Sequence, residues 1–253
     1  MAQSKTVTAG LVVIGDEFLS GRTQDANIVY LENWLNEEGV VLREVRIVAD
    51  DRLAIVEAVN ALRRRCDYCF TTGGIGPTHD DITVDAVAGA FDVEVIYNEE
   101  ALQMLAAHYG PEQLTEARKR MARVPDGGGL VNNPMSGAPG VRKDNVFMLA
   151  GIPGIMRGML EGLRGELAGA EPMLSEAVTV FAPESEMAEG LAAIQDDHPE
   201  VSIGSYPFFR QAKIGAALVV RSTNAEEIPP VLAAIRQAAE AIDAKWVDGE
   251  PVL

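Results

Sequence analysis

The sequence contains few of the residues on which several classes of protein depend. It has two cysteines in 253 residues, Cys66 and Cys69, and three histidines. One C-x-x-C pair, with neither a second pair nor a histidine cluster, does not complete a zinc site. We therefore expect Cys66 to end a helix and Cys69 to lie in a buried strand, and nothing in the pattern requires an oxidising compartment.

Basic residues are also scarce. Lysine and arginine number 21 against 38 acidic residues, which gives a net charge of -17. Such a charge repels nucleic acid and anionic membranes. No segment reaches the roughly 18 apolar residues of a membrane span, and the N-terminal apolar run is too short for a signal peptide. We expect a cytoplasmic protein that binds neither nucleic acid nor membrane.

Apolar runs alternate with helical patterns along the first two thirds of the chain. The run Val7–Ile14 is typical of a strand covered on both faces, and further predicted strands are Val40–Val48, Tyr68–Thr72, Val93–Tyr97 and Val146–Gly151. This order predicts an α/β fold with a doubly wound sheet, in which ligands bind at the carboxyl ends of the strands. Asp25 and Asp50 are predicted to cap the helices that follow the first two strands.

The composition changes after about Gly169. The last part of the chain predicts the order β-α-β-β-α, one strand short of the ferredoxin-like pattern, with Asn224 as the cap of a helix from Glu226 to about Ala244. We therefore assign residues 1–169 to an α/β domain and residues 170–253 to a small α+β domain.

The stretch TTGGIGPTHDDIT, residues 71–83, comes after the third predicted strand. Gly73, Gly74 and Gly76 permit positive φ angles and bring backbone N–H groups close to a ligand, and the next helix adds its positive dipole end. The stretch is not a P-loop, because it has no GK[ST], and His79 occupies the third glycine position of a dinucleotide fingerprint. The pattern indicates an anion site.

Asp80 and Asp81 follow these glycines in the same stretch, and they would repel a phosphate unless a divalent cation joined the carboxylates to the phosphate. Asp16 and Glu17, after the first strand, are natural further ligands because a hard cation takes oxygen donors from more than one loop. We predict a site for Mg²⁺, Mn²⁺ or Co²⁺ at these four acids, with Asp16, Asp80 and Asp81 catalytic. The alternative is that Asp81 caps the next helix and Asp16 caps a turn.

Other polar residues allow more than one interpretation. His79 can transfer a proton, contact a ligand or face solvent. The stretch NNPMSGAPG offers uncharged hydrogen-bond donors. A basic cluster on a predicted helix can hold a second phosphate or form a solvated face; its members are Arg118, Lys119, Arg120 and Arg123.

Four motifs in this order, GDEFLSGRTQDAN, TTGGIGPTHDDIT, NPMSGAPG and LAGIPGIM, resemble the molybdopterin-binding (MoaB/Mog-like) fold family. The likeness is to the branch with the N-terminal domain of CinA proteins and the corresponding domain of eukaryotic FAD synthase. It covers residues 8–163, and SIGSYP resembles a segment located after that domain in FAD synthase. The resemblance implies a three-layer αβα sandwich with a mostly parallel sheet and a metal-assisted site for a phosphorylated nucleotide or pterin.

The resemblance also implies roles for individual residues. Asp16 and Glu17 match the first acidic loop, and Gly73 to Asp81, including Thr78, match the phosphate and metal loop. Asn27, Asn133 and Gly137 match ligand-binding positions of the other motifs. Ala150 stands where many relatives have proline, and this chain has no arginine before the aspartate, which molybdopterin-adenylylating relatives tend to have.

The resemblance leaves three activities to compare. In one branch the fold binds or adenylylates molybdopterin, and in the CinA and FAD synthase branch it is associated with metal-dependent cleavage of nucleotide pyrophosphates. We expect hydrolysis of a pyrophosphate such as ADP-ribose or FAD to two monophosphates. The alternatives are a molybdopterin-binding protein and a molybdopterin adenylyltransferase. Relatives are commonly dimers or trimers, so we expect a homo-oligomer.

Overall fold

The structure is a computed structural model, and it describes residues 6–22, 24–210 and 213–250. Contacts divide the chain into two units, residues 1–170 and 171–253, and the predicted boundary lay one residue earlier. None of the helices in the described part of the chain is long and apolar enough to cross a bilayer.

The first unit is built on a six-stranded sheet. Its strand order is β2-β1-β3-β8-β7-β6; β2, β1, β3 and β8 are parallel, and β7 and β6 run antiparallel to their neighbours. In chain order the strands of this unit are β1 (Val7–Ile14), β2 (Val40–Val48), β3 (Tyr68–Thr72), β4 (Val95–Tyr97), β5 (Arg123–Pro125), β6 (Gly129–Val131), β7 (Gly140–Lys143) and β8 (Val146–Leu149).

Helices cover both faces of this sheet. The helices of this unit are α1 (Asp16–Leu19), α2 (Asn27–Glu37), α3 (Arg52–Arg65), α4 (Thr83–Ala90), α5 (Glu99–Tyr109), α6 (Glu116–Lys119) and α7 (Pro153–Glu161). Leu11 and Val13 of β1 pack in one apolar cluster with residues of α2 and α7, whereas Val12 and Ile14 pack in another with residues of α3 and α4. Because alternate residues of a strand face opposite sides, β1 lies between two helical layers. The predicted three-layer αβα sandwich with a mostly parallel sheet is confirmed.

Three local predictions for this unit were wrong. The run Val93–Tyr97 gives only β4, which pairs with β5 in a separate ribbon and exposes Ile96 and Tyr97. Asp51 rather than Asp50 caps α3, because its Oδ1 accepts a hydrogen bond from the Ala54 N–H at 2.8 Å. The basic cluster does not form one helix: it runs from α6 through a 3-10 turn at Arg120–Ala122 into β5.

Both cysteines lie where the sequence predicted. Cys66 comes directly after the last residue of α3 and Cys69 lies in β3; both are buried free thiols. Burial raises the pKa of the Cys69 thiol to about 12.

The end of this unit is held by close backbone contacts. The Ala170 N–H donates to the Gly39 carbonyl at 2.9 Å. A Cβ atom on Gly169 would lie 1.7 Å from the Glu38 carbonyl oxygen, and one on Gly39 would lie 1.8 Å from that of Ala170. Glycine is therefore required on both sides of this contact.

The second unit has the complete ferredoxin-like order β-α-β-β-α-β. Its elements are β9 (Leu174–Phe181), α8 (Glu184–Asp197), β10 (Ser202–Arg210), β11 (Lys213–Ser222), α9 (Ile228–Ala241) and β12 (Lys245–Asp248), and the antiparallel sheet has the order β10-β11-β9-β12. The sequence prediction lacked β12, a strand of four residues that are mostly exposed. Asn224 does not cap α9; its Oδ1 accepts from the Glu226 N–H in the preceding turn.

Candidate functional site

A cavity of about 700 Å³ lies at the carboxyl ends of β1, β3 and β8. The loops after these three strands line it, together with the start of α2 and part of the loop before β7. Parallel strands bring their carboxyl ends to one edge of a sheet, so the motifs after β1, β3 and β8 meet there.

The glycine loop after β3 forms one wall. Gly73 and Gly74 have φ angles of 98° and 67°. The fully buried Thr83 holds both: its Oγ1 donates to the Gly73 carbonyl at 2.9 Å, and its N–H donates to the Gly74 carbonyl at 2.9 Å. Gly76 has no positive φ, and its missing Cβ leaves space for the Asp81 carboxylate.

The glycine N–H groups are not equivalent. That of Gly73 donates to the Leu149 carbonyl at 3.1 Å and is not available to a ligand. Those of Gly74 and Gly76 make no hydrogen bond within the described residues, and both glycines line the cavity. Of the three N–H groups predicted to contact a phosphate, those of Gly74 and Gly76 therefore remain available.

Asp81 stabilises the loop itself. Its Oδ2 accepts from the Thr78 N–H at 2.7 Å and from the Thr78 hydroxyl at 2.5 Å. The alternative of Asp81 as a helix cap is wrong, since α4 begins after Ile82 without a side-chain cap. Asp81 lines the cavity, whereas Thr78 does not belong to its lining.

Carboxylates from the loops after β1, β2 and β3 come together at the cavity, and the last of these is the glycine loop. Glu17, Asp50 and Asp80 line the cavity with Asp81. Asp16 joins them through backbone contacts: its N–H donates to Asp50 Oδ2 at 3.0 Å, and the Asp50 N–H donates to Asp16 Oδ1 at 3.4 Å.

Asp50 is the residue of this group that the sequence prediction missed. Burial raises the pKa of its carboxyl, and the negative charges of Asp16, Glu17 and Asp80 raise it further. The four carboxylates are thus within electrostatic reach of one another. The available signal was the position of Asp50, two residues after the end of a parallel strand. The prediction took this residue for a helix cap.

The acids do not form a complete metal cage. Within the described part of the chain, no three His, Cys, Asp or Glu side chains are grouped closely enough to hold an ion. Asp81 Oδ2 accepts a hydrogen bond from the Thr78 N–H, and Asp16 Oδ1 accepts one from the Asp50 N–H. Mg²⁺ commonly binds through one or two carboxylates together with substrate phosphates, and Glu17 and Asp80 beside the glycine loop fit that mode.

His79 faces solvent. Its side chain is 97% exposed, and Nδ1 lies 3.9 Å from Asp80 Oδ1. Among the three interpretations of this histidine, the described geometry favours the solvent-facing one.

The other two motifs divide into residues that shape loops and residues that face the cavity. Asn133 is buried and binds its own loop, with Nδ2 donating to Ser136 Oγ at 2.7 Å and to the Ala138 carbonyl at 2.6 Å. Gly137 has a φ of 67° and packs against His108. Ser136 and Ala138 line the cavity, while Asn133 and Gly137 support them.

One member of the basic cluster reaches the cavity. The Arg118 guanidinium lies 4.2 Å from the centre of the Tyr109 ring, and its Nη1 donates to the Gln113 carbonyl at 2.7 Å. Both side chains line the cavity, and Arg118 is the one lysine or arginine among the described residues that do so. Lys119 pairs with Glu116 and Arg123 pairs with Asp85 instead. No pattern in the sequence indicated Tyr109.

Comparisons with known proteins show the family to which the chain belongs. Residues 10–168 match the family described as "Probable molybdopterin binding domain", and residues 172–246 match "FAD synthase, middle domain". A protein of Archaeoglobus fulgidus is 30% identical, over 78% of this chain and 84% of its own length. A "Probable FAD synthase" of Caenorhabditis elegans is 28% identical over 94% of this chain, which spans 50% of that protein.

A solved structure supports the same relationship. The crystal structure of the protein CinA from Thermoplasma acidophilum, a protein described as of unknown function, has a TM-score of 0.60 and 30% identity, over 64% of this chain and 99% of that one. The family match covers more than half of the chain and includes all four motifs. The chain therefore belongs to the MoaB/Mog-like molybdopterin-binding domain family, in the branch with CinA-like proteins and FAD synthase, as the motifs predicted.

Proposed function

We propose that this protein hydrolyses a nucleotide pyrophosphate of the ADP-ribose or FAD type to two monophosphates, with a divalent cation. The observation that carries the proposal is that one cavity combines a glycine loop with free N–H groups and carboxylates from three loops. The match to the FAD synthase middle domain and the likeness to a probable FAD synthase support a nucleotide as the substrate.

The glycine loop supplies the phosphate contacts. The N–H groups of Gly74 and Gly76 are free to bind phosphate oxygens, and α4 begins directly after the loop with its positive dipole end. Arg118 adds a positive charge to the same cavity. These groups would stabilise negative charge that develops on the phosphate during cleavage.

The carboxylates require a cation when a pyrophosphate enters. Two unit charges about 4 Å apart repel by roughly 4 kcal/mol in a partly desolvated site, and several acids face the cavity. Glu17 and Asp80 would hold the cation together with phosphate oxygens; when bound, it would polarise the phosphate and acidify a water molecule. Asp50 lines the same cavity, and its carboxylate, with a raised pKa, would be able to accept a proton from an attacking water.

The test is product release from ADP-ribose, FAD, NAD and ATP, each with Mg²⁺, Mn²⁺, Co²⁺ or EDTA. We expect cation-dependent monophosphate formation from ADP-ribose or FAD. Asp80→Asn should lower turnover by about 100-fold or more, because it removes a ligand charge of the cation. Asp80 lies at the surface and the fold should persist.

Asp126→Asn is the matched control. It removes the same charge from an exposed residue of the same unit that does not line the cavity, so turnover should be unchanged. Full turnover by Asp80→Asn, or cleavage in EDTA, would refute the assignment.

A second candidate function is binding of molybdopterin without catalysis. The description of the matched family and the lack of a complete metal cage among the described residues favour it. It predicts pterin binding in EDTA and no turnover of any pyrophosphate. Adenylyl transfer predicts instead that ATP is consumed only when the pterin is present. For either function we expect a homo-oligomer, which light scattering would detect.

A further inference from the structure

Two buried acceptor oxygens at the start of α2 lack hydrogen-bond partners among the residues that the structure describes. Asn27 is 2% exposed, and its Oδ1 has no hydrogen bond. Asp25 Oδ2, close by on the same turn, is also buried and without a partner. Both residues line the cavity. Buried polar atoms in native proteins are nearly always satisfied, so a pair of unsatisfied oxygens at a cavity wall indicates a ligand that completes them.

The other atoms of these side chains fix the direction of the free oxygens. Asn27 Nδ2 donates to the Gly151 carbonyl at 2.8 Å. Since a carbonyl can only accept, the amide nitrogen must face Gly151 and the amide oxygen must face away from it. Asp25 Oδ1 accepts from the N–H groups of Asn27 and Ile28 at 2.8 and 2.6 Å, which leaves Oδ2 as its free atom.

This chemistry differs from that of a phosphate site. Asn27 was expected to bind the ligand; its amide nitrogen donates to Gly151, and its unpartnered atom is an acceptor. The two atoms without partners are thus acceptors, one of them on a carboxylate, and both would repel a phosphate oxygen. Both oxygens accept hydrogen bonds, so a group that presents hydrogen-bond donors would satisfy them.

We propose that Asp25 and Asn27 bind the nucleoside part of the ligand through an uncharged group with two hydrogen-bond donors. Two parts of a nucleotide have this chemistry, the ribose cis-diol and the edge of the base that carries an amino group. The inference rests on the proposed function for the class of ligand, with the phosphates at the glycine loop. It adds a specificity site to that cavity, because an analogue without the donor would leave a buried acceptor unpaired.

The experiment measures binding of AMP by calorimetry in the presence of Mg²⁺. AMP has no pyrophosphate to cleave, so the result does not depend on turnover. The comparison ligands are 2′,3′-dideoxy-AMP, which lacks the diol, purine riboside 5′-monophosphate, which lacks the amino group, and inorganic phosphate. We expect the native protein to bind AMP at least about tenfold more tightly than one of the two analogues. The weaker analogue identifies the donor group.

Asp25→Ser is the test variant. A serine hydroxyl can still accept the N–H bonds at the start of α2, so the substitution removes mainly the free oxygen. Asp51→Ser is the control: Asp51 Oδ1 accepts from the Ala54 N–H at the start of α3, and Asp51 does not line the cavity. Asp25→Ser should abolish the tenfold discrimination, and Asp51→Ser should retain it.

Three results would overturn the inference: equal affinity for AMP and both analogues, discrimination that persists in Asp25→Ser, or AMP binding no tighter than that of phosphate. The failure of the proposed function would look different. In that case no pyrophosphate is cleaved, while the discrimination among monophosphates is still observed.

Discussion

Replacing Gly73 by alanine should damage the glycine loop and lower the stability of the domain. The φ of Gly73 is 98°, which side-chain-bearing residues rarely adopt. A Cβ atom there would lie 2.3 Å from the Ile14 carbonyl oxygen. That oxygen belongs to the backbone at the end of β1, so no side-chain rotation can relieve the overlap.

The backbone strain at residue 73 and the overlap with the Ile14 carbonyl oxygen together determine the loss of stability. The backbone strain costs about 1–3 kcal/mol, and displacement of packed backbone costs a similar amount, so we expect roughly 3 kcal/mol or more in the free energy of unfolding. A domain of this size loses about 2–4 °C in Tm per kcal/mol, so Tm should fall by roughly 6–12 °C. Turnover of the pyrophosphate should be lost as well, because the shift moves Gly74 away from the phosphate.

Scanning calorimetry and the turnover assay measure both effects. Gly165→Ala is the matched control: its φ is 74°, no atom lies within 4 Å of an added Cβ, and Gly165 does not line the cavity. It carries the strain without the overlap, so Tm should fall by less than in Gly73→Ala, with turnover unchanged. Equal Tm shifts for the two variants, or normal turnover of Gly73→Ala, would refute the reasoning.

Three further predictions concern residues near the loop and the buried thiols. Thr83→Val removes the buried hydrogen bond to the Gly73 carbonyl and should cost about 1–3 kcal/mol in urea denaturation, with a larger relative loss of turnover; an unchanged midpoint would contradict this. Asp50 has a raised pKa in the folded state, so its contribution to stability declines as pH rises through that pKa. Asp50→Asn should therefore raise Tm at pH 7.5 without added cation, and the gain should shrink towards about pH 4; a gain independent of pH would refute the cause. Cys66 and Cys69 are buried with raised pKa values, so neither should react with a thiol reagent at pH 8 until urea unfolds the protein, and rapid labelling of the native protein would contradict their burial.

The sequence predicted those parts of the fold that depend on local pattern. The apolar runs of β1, β3 and β8 were long enough to identify, because a strand covered on both faces carries apolar residues throughout. The strand β12 was missed because only Trp246 faces the core in a run of four residues. The run at Val95–Tyr97 has strand composition, yet no local signal showed that it pairs outside the main sheet.

The site was predicted at the level of loops and less well at the level of atoms. The strand-end rule brought the acids and glycines to one edge of the sheet. Which atoms remain free depends on tertiary contacts: the Gly73 N–H is taken by Leu149, and the Asn27 amide nitrogen by Gly151. These partners lie far along the chain, so sequence pattern alone could not separate available donors from engaged ones.

The contact between Gly39 and Ala170 affects where a fragment that contains only the first unit can end. The motifs of the family end by Leu163, and a fragment that stopped there would leave the turn between α2 and β2 without its backbone partner. A fragment that continues through Ala170 would keep that hydrogen bond and both glycine contacts. The residues after α7 are thus part of the closed domain, and exchange of this module between proteins should preserve them.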